Sequence, residues 1–350
     1  MKSKLSALKV VFLFILAGLF FVQCGYAADL TELYPNWKDL SPAKLMVLER
    51  FIERHSSKKP IAVFDFDGTL ISEKYPSHGN RLRSGQSAWR AWTAQNLTAF
   101  PFAFPSFRVS GSLPDTFANI IHRDEILENF TDVPLSEYMK FTELAAFEAG
   151  MTENEVRTCI DGFLKDYPPE KYVYYPMLDV IQRLIDKDYP VWIITGSNPI
   201  YVSAILKNLE EKSKSSGKRV YNFKNLTHPV YAPYSKANQN GVKIIGNISR
   251  RTPDGYFTRI YDDAFVKSPD NRHYVVAGEG KLIALENYLE PSEEKSTLFA
   301  AGNSDGDYEL MSNVLKSNSL ALGIMVNPGG KKFPTLAGQQ TIVLNLTPGN

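Results

Sequence analysis

Residues 61–70 read IAVFDFDGTL. Four apolar residues, Ile61 to Phe64, run without polar alternation into two aspartates one residue apart, Asp65 and Asp67. An apolar run of this length that ends in a turn signal reads as a strand buried on both faces. In an extended chain residues 65 and 67 share parity, so their carboxylates point the same way. Like charges at the end of a buried strand repel, and burying either one is costly. A divalent cation removes the difficulty, because Mg2+ takes oxygen ligands and commonly bridges carboxylates to a phosphate. With it in place, one aspartate can stay ionised as a nucleophile while the other holds a proton for a leaving group. Gly68 permits a tight turn and Thr69 adds a hydroxyl. Ligands of open parallel sheets bind beyond the carboxyl ends of the strands, which is where this pair would stand.

Working outward, the pattern alternates. SPAKLMVLERFIERH, residues 41–55, predicts a helix capped by Ser41, with Pro42 at its first position and Leu45, Leu48 and Ile52 on one face. LDVIQRLIDKDYP and VWIITGSN pair a helix with a buried strand. KLIALENYL reads as a helix, STLFAAGNSDGD as a strand and loop, and ALGIMVN as a further strand. Buried strands alternating with helices predict an α/β fold with a Rossmann-like parallel sheet and helices on both faces.

Between residues 71 and 175 the pattern is mostly helical. Thr152 and Glu155 form a capping box for a helix through about Lys165, and SEYMKFTELAAFEAG is another helix. AFPFAFPSF reads as an ordered loop. A second irregular stretch, about 210–272, holds a solvated linker, EEKSKSSGKR, and two strands of a hairpin, GVKIIGNIS and GYFTRIYDD. The expected organisation is a core of 28–70 and 176–350, a β-containing insertion at about 210–272, and a helical unit of 71–175.

The 350 residues carry 44% hydrophobic and 22% charged side chains, an ordinary globular balance that excludes a disordered or collagen-like chain. A net charge of +1 offers no basic footprint for nucleic acid. Lys2, Lys4 and Lys9 precede an uncharged apolar run at 10–22, followed by small residues at Gly25 and Ala27. This is the pattern of a secretory signal peptide, 1–27, cut after Ala27. The run is short for a spanning helix, and Gln23 is a poor neighbour for a lipidated Cys24. Loss of the three lysines takes the net charge from +1 to −2. Cys159 then stands alone, so the mature chain has no internal disulfide. An exported chain of this kind fits a periplasmic or secreted location without stable membrane association.

The motifs resemble those of the haloacid dehalogenase superfamily, in its phosphatase branch. DFDGT is similar to the first motif, and VWIITGSN to the second, a strand ending in Ser or Thr, here Thr195. Lys281 in GEGKLIALENYL matches the lysine of the third, and Gly302, Asn303 and Asp307 of FAAGNSDGDYELM match the fourth. The match covers roughly residues 45–75, 175–205 and 275–330, with a spacing closest to the phosphoserine-phosphatase-like branch. The resemblance implies Mg2+ and a small phosphorylated substrate. Asp65 would be nucleophile and metal ligand, and Asp67 general acid, then base, with its carbonyl on the metal. Thr69, Thr195, Gly196 and Lys281 would hold the phosphoryl group, and Asn303 and Asp307 would serve the metal. Residues 71–175 would be a helical cap inserted after the first motif, closing the site and selecting the substrate. The helix after Thr195, with Pro199 near its start, would also favour an anion.

One position departs from the family: Asn303 stands where an aspartate ligand is usual, with Asp305 as an extra carboxylate two residues on, close enough on a loop to reach the same cation. The family reading is a phosphomonoester hydrolase. A phosphotransferase of the same fold and a non-catalytic phosphate-binding protein are the alternatives. Plainer readings exist for single residues. Asp65 and Asp67 alone would fit a strand-end turn, and Lys281 alone a surface lysine. His122, His228 and His273 lack ligand spacing. Trp89, Trp92, Tyr172, Tyr174 and Tyr175 suit either an aromatic pocket or the core of a helical unit.

Overall fold

Ile61–Phe64 is strand β1, inside a six-stranded sheet whose pairings are all parallel. The computed structural model describes residues 30, 32–37, 40–55, 60–73, 150–215, 219–223, 242–261, 275–288, 297–338 and 340–349. The other strands of the sheet are β2 (Val191–Ile194), β3 (Val242–Ile245), β6 (Thr297–Gly302), β7 (Leu322–Val326) and β8 (Thr341–Leu344). Their spatial order is β3-β2-β1-β6-β7-β8. Strands β4 (Ser249–Arg251) and β5 (Phe257–Tyr261) form a separate antiparallel pair.

The lack of alternation in the strands has a direct cause. All residues of β1, β2, β3, β6 and β7 are buried, because both faces of the sheet are covered. On one face Ala62, Phe64, Ile193, Ile244, Phe299 and Ile324 pack with four helices. These are α1 (Pro42–His55), α2 (Glu153–Asp166), α3 (Tyr175–Asp186) and α4 (Pro199–Ser215). On the other, Ile61, Val63, Trp192, Ile194, Ala300 and Met325 pack with α5 (Glu279–Tyr288) and α6 (Tyr308–Ser317). Each such buried side chain stabilises the fold by about 1.5–3 kcal/mol before entropy is counted. The doubly covered parallel sheet is the one the sequence predicts.

The local signals behave as expected at several points. Leu45, Leu48 and Ile52 are the buried face of α1. Thr152 and Glu155 form both halves of the capping box of α2, with Thr152 N donating to Glu155 Oε2 at 2.7 Å.

Two segments differ from the sequence reading. Glu210–Ser215 do not form a linker but continue α4, supported by an ion pair between Lys214 and Glu210 one turn apart at 2.9 Å. GVKIIGNIS is not one hairpin strand: Val242–Ile245 is an edge strand of the parallel sheet, and only Ser249–Arg251 pairs with β5. A short apolar run does not reveal its partner, and here β2 takes it. Helix α2, in the segment expected to be helical, forms as expected and buries Val156, Cys159, Ile160 and Phe163 in the same cluster as one face of the sheet.

Tyr174 is likewise buried there, while Tyr172 and Tyr175 pack against it. Residues 74–149 lie outside the described residues, and with them AFPFAFPSF, Trp89, Trp92, His122 and all of SEYMKFTELAAFEAG but its last residue, Gly150. So do residues 1–27, Cys24, His228 and His273. Among the described residues no helix is long and apolar enough to cross a membrane.

Candidate active site

Asp65 and Asp67 follow β1, Thr195 follows β2, and Asn303 follows β6. These three strands are adjacent, so their carboxyl ends bring the first, second and fourth motifs to one edge of the sheet. The turn after β1 is tight. Gly68 has φ +80°, and its N–H donates to Ile71 O at 2.7 Å. A side chain there would collide with the Asn303 amide, since an added Cβ would lie 2.0 Å from Nδ2. Glycine therefore serves two ends at once, a left-handed backbone and the close approach of the fourth motif.

Lys281 sits in the first turns of α5 and reaches across to β1. Its Nζ donates to Asp65 Oδ1 at 2.6 Å and to Asp307 Oδ1 at 2.6 Å. Burial alone would lower its pKa, but Asp307 and Asp65 hold it well above the ordinary lysine value. The second oxygen of Asp65 has only a long contact, 3.4 Å from the hydroxyl of Thr69. Burial, then the charge of Asp307, push Asp65 up to about 8, with Lys281 pulling the other way. Asp67 is also raised, chiefly by burial, against a lowering hydrogen bond from Ser197.

The second motif closes on Asp67. Ser197 Oγ donates to Asp67 Oδ2 at 2.5 Å, and the Thr195 hydroxyl lies 3.5 Å from the same oxygen. Ser197 N–H in turn donates to Thr195 Oγ1 at 3.0 Å. At the start of α4, Asn198 Oδ1 caps the helix by accepting from Ile200 N–H at 2.7 Å. Gly196 lies in this loop, and its carbonyl accepts from Asn247 Nδ2 at 2.9 Å. The Asn247 Oδ1 accepts from Val276 N–H at 2.8 Å, so one buried side chain ties the second motif to the segment leading into Lys281.

The fourth motif divides into distinct tasks. Asp307 uses Oδ1 for Lys281, and Oδ2 accepts from the N–H groups of Asn303 and Ser304 at 2.9 and 3.1 Å. Both its oxygens are engaged, which makes it the residue that orients Lys281 and shapes the loop. Asp305 turns away. It accepts from the backbone N–H groups of Lys331, Lys332 and Phe333, each at 2.8 Å, and so anchors a neighbouring loop. Asn303 is buried, and its Nδ2 donates to Glu73 Oε1 at 2.7 Å.

Two buried oxygens in this cluster have no hydrogen-bond partner among the described residues, Asp67 Oδ1 and Asn303 Oδ1. Buried acceptors without partners beside raised carboxylates suit a cation. No three His, Cys, Asp or Glu side chains converge as a metal cluster among the described residues. That pattern omits an amide oxygen and a main-chain carbonyl, both of which Mg2+ accepts. The donor set of Asp65, Asp67 and Asn303 fits a hard, oxygen-seeking ion.

The structure thus brings together Asp65, Asp67, Thr69, Thr195, Gly196, Lys281, Asn303 and Asp307. Ser197, Asn247 and Glu73 also belong to the cluster and escape the sequence reading. Ser197 had a signal, standing two residues beyond Thr195. Asn247 and Glu73 had none, because their partners are distant in sequence.

In its parallel sheet, and in the order and placement of its four motifs, the chain resembles the core of haloacid dehalogenase superfamily phosphatases. No protein-family model and no curated protein matches it. Solved structures with an overall likeness include a protein of unknown function from Bordetella pertussis Tohama I, at 14% identity and TM-score 0.44, covering 81% of this chain and 97% of that one. Cytosolic 5'-nucleotidase IIIB bound to cytidine is similar at 14% identity and TM-score 0.41, covering 89% and 91%. A phosphoserine phosphohydrolase-like protein from Francisella tularensis subsp. tularensis SCHU S4 is similar at 16% identity and TM-score 0.36, covering 82% and 94%. Likeness of this order says nothing of activity or substrate.

Proposed function

We propose that the protein is an exported, Mg2+-dependent phosphoric monoester hydrolase that works through an aspartyl-phosphate on Asp65. The observation that supports it is the meeting of Asp65, Asp67, Thr195 and Lys281, from three separate stretches of chain, at the carboxyl edge of one parallel sheet. Asp65 attacks phosphorus with the oxygen that Lys281 leaves open, and the ester P–O bond breaks toward the leaving oxygen. Asp67, in the protonated form that burial favours, gives that oxygen its proton. Ionised Asp67 then takes a proton from water, the water oxygen attacks phosphorus, and the Asp65–phosphate bond breaks to release phosphate. Lys281 and the Thr195 hydroxyl hold the phosphoryl oxygens as negative charge moves over them. When bound to Asp65, the Asp67 carbonyl and Asn303, Mg2+ supplies the remaining neutralisation.

The substrate class is a small phosphorylated metabolite, and no nucleic-acid partner is implied. The test is a panel of phosphomonoesters with Mg2+, run with and without an added alcohol. Released phosphate is the expected product. A phosphorylated alcohol as main product would make the protein a phosphotransferase, and no turnover of any ester would overturn the reading. The export step predicts an intact mass that lacks residues 1–27, and a mass that retains them would refute it.

A further inference from the structure

Asn303 presents a problem of charge. It takes the place at the end of β6 where an acidic ligand would serve a cation, and an amide brings none. An amide also has two ends that are sterically alike, only one of which can face a metal. Glu73, eight residues after Asp65 and on the solvent side of the turn, answers both points. Its Oε1 lies 2.7 Å from Asn303 Nδ2. An ionised carboxylate only accepts hydrogen bonds, so it selects the nitrogen of the amide and leaves the oxygen as the other end. That oxygen is buried without a partner, as is Asp67 Oδ1.

We propose that Glu73 is part of the cation site, acting behind Asn303 to fix its amide oxygen toward the ion and to supply the negative charge that Asn303 lacks. This rests on the metal-dependent reading above. Glu73 is a positioning residue, and the pair Glu73–Asn303 together does the work of one carboxylate ligand. Supporting groups behind metal ligands commonly set affinity by about tenfold to a hundredfold. The pairing also explains Gly68, since the amide held by Glu73 occupies the space a side chain there would need.

The proposal makes affinity follow the charge of the pair. Mg2+ binding to the full chain is measured by calorimetry, with Mn2+ binding by electron paramagnetic resonance as a second readout, for the wild type, Glu73→Gln, Asn303→Asp and the double exchange. Glu73→Gln should weaken Mg2+ by about tenfold or more. Asn303→Asp should tighten it, and should lower the melting temperature of the metal-free protein because two carboxylates then face each other. The double exchange restores one carboxylate and one amide, and should bind within about threefold of the wild type, well inside the tenfold effect of a lost supporting group. Glu73 is exposed, so Glu73→Gln is expected to fold whatever happens to the Asn303 variants. If Glu73→Gln binds Mg2+ as the wild type does, or if the double exchange binds as tightly as Asn303→Asp alone, Glu73 has no part in the site. A wild-type chain that binds no Mg2+ overturns the metal-dependent function itself, and this inference with it.

Discussion

Lys281 and Asp65 lie 216 positions apart in the chain and meet at 2.6 Å, both buried. A buried ammonium beside a buried carboxylate stays charged only while each keeps its partner, and Asp307 supplies the second partner of Lys281 at the same distance. The contact therefore joins Asp65 of the first motif directly to Lys281 of the third, and Asp307 of the fourth holds the same ammonium.

Replacing Asp65 by Asn keeps its shape and removes the proposed nucleophile. Hydrolysis should fall by at least about three orders of magnitude, as for loss of a covalent catalyst. Steady-state rates on the best ester of the panel check this. Beryllium fluoride, which mimics a phosphorylated aspartate, should inhibit the wild type and leave no inhibitor-bound form of the variant. Comparable rates in the two proteins would remove the covalent mechanism.

Asp307→Ala should nearly abolish activity, and it should also cost stability. The substitution takes a partner from buried Lys281 and an acceptor from two backbone N–H groups. Breaking a buried ion pair on one side costs about 3–5 kcal/mol. Chemical denaturation reads the stability and single-turnover kinetics the chemistry. A variant as stable and as active as the wild type would contradict the assigned role.

Metal-free protein should become less stable as pH rises. Asp65, pushed up to about 8 first by burial, and Asp67, raised for the same first reason, hold protons more tightly folded than unfolded. From the ordinary aspartate value of 3.8 to about 8, the folded state binds more protons, so stability is present at the acid end and lost toward the alkaline end. A bound cation removes that penalty by stabilising the ionised forms. Melting temperatures from pH 5 to 8 should fall in EDTA and stay nearly level in Mg2+, and Asp65→Asn should flatten the EDTA series. Parallel slopes in EDTA and Mg2+ would show that the carboxylates and the cation do not meet.

Asn247→Ala should act at a distance from the reacting atoms. The side chain holds Gly196 O and Val276 N–H together, and Gly246 lies so close to the second motif that an added Cβ would sit 2.2 Å from Ser197 O. Loosening this seam displaces Thr195 and Lys281 relative to each other. A shift of about 1 Å can cost a hundredfold in rate, so kcat should drop by about tenfold to a hundredfold with a smaller change in KM. Asn247→Asp still accepts from Val276 but no longer donates to Gly196, and should recover part of the loss at most. Unchanged kcat in Asn247→Ala would remove it from the site.

Much of the candidate site was legible because its signals are local. Two carboxylates of equal parity after a buried strand, a hydroxyl after another strand and a lysine opening a helix need no knowledge of neighbours. Asp305 shows the limit. Its place two residues from Asn303 suggested a share in the cation, but three backbone N–H groups of residues 331–333 claim it. Val242–Ile245 shows the same limit for the fold, since an apolar run does not say which strand it will join.

The sequence by itself determined the buried parallel sheet and the residue types at its edge, because hydrophobic runs, helix periodicity, caps and turn residues are properties of contiguous chain. Only the tertiary structure decided the order of the strands, the pairing of Lys281 with both Asp65 and Asp307, and the meeting of Asn303 with Glu73. Those are contacts between segments as far as 230 residues apart, made where burial removes water and leaves each polar group to find its partner in the fold.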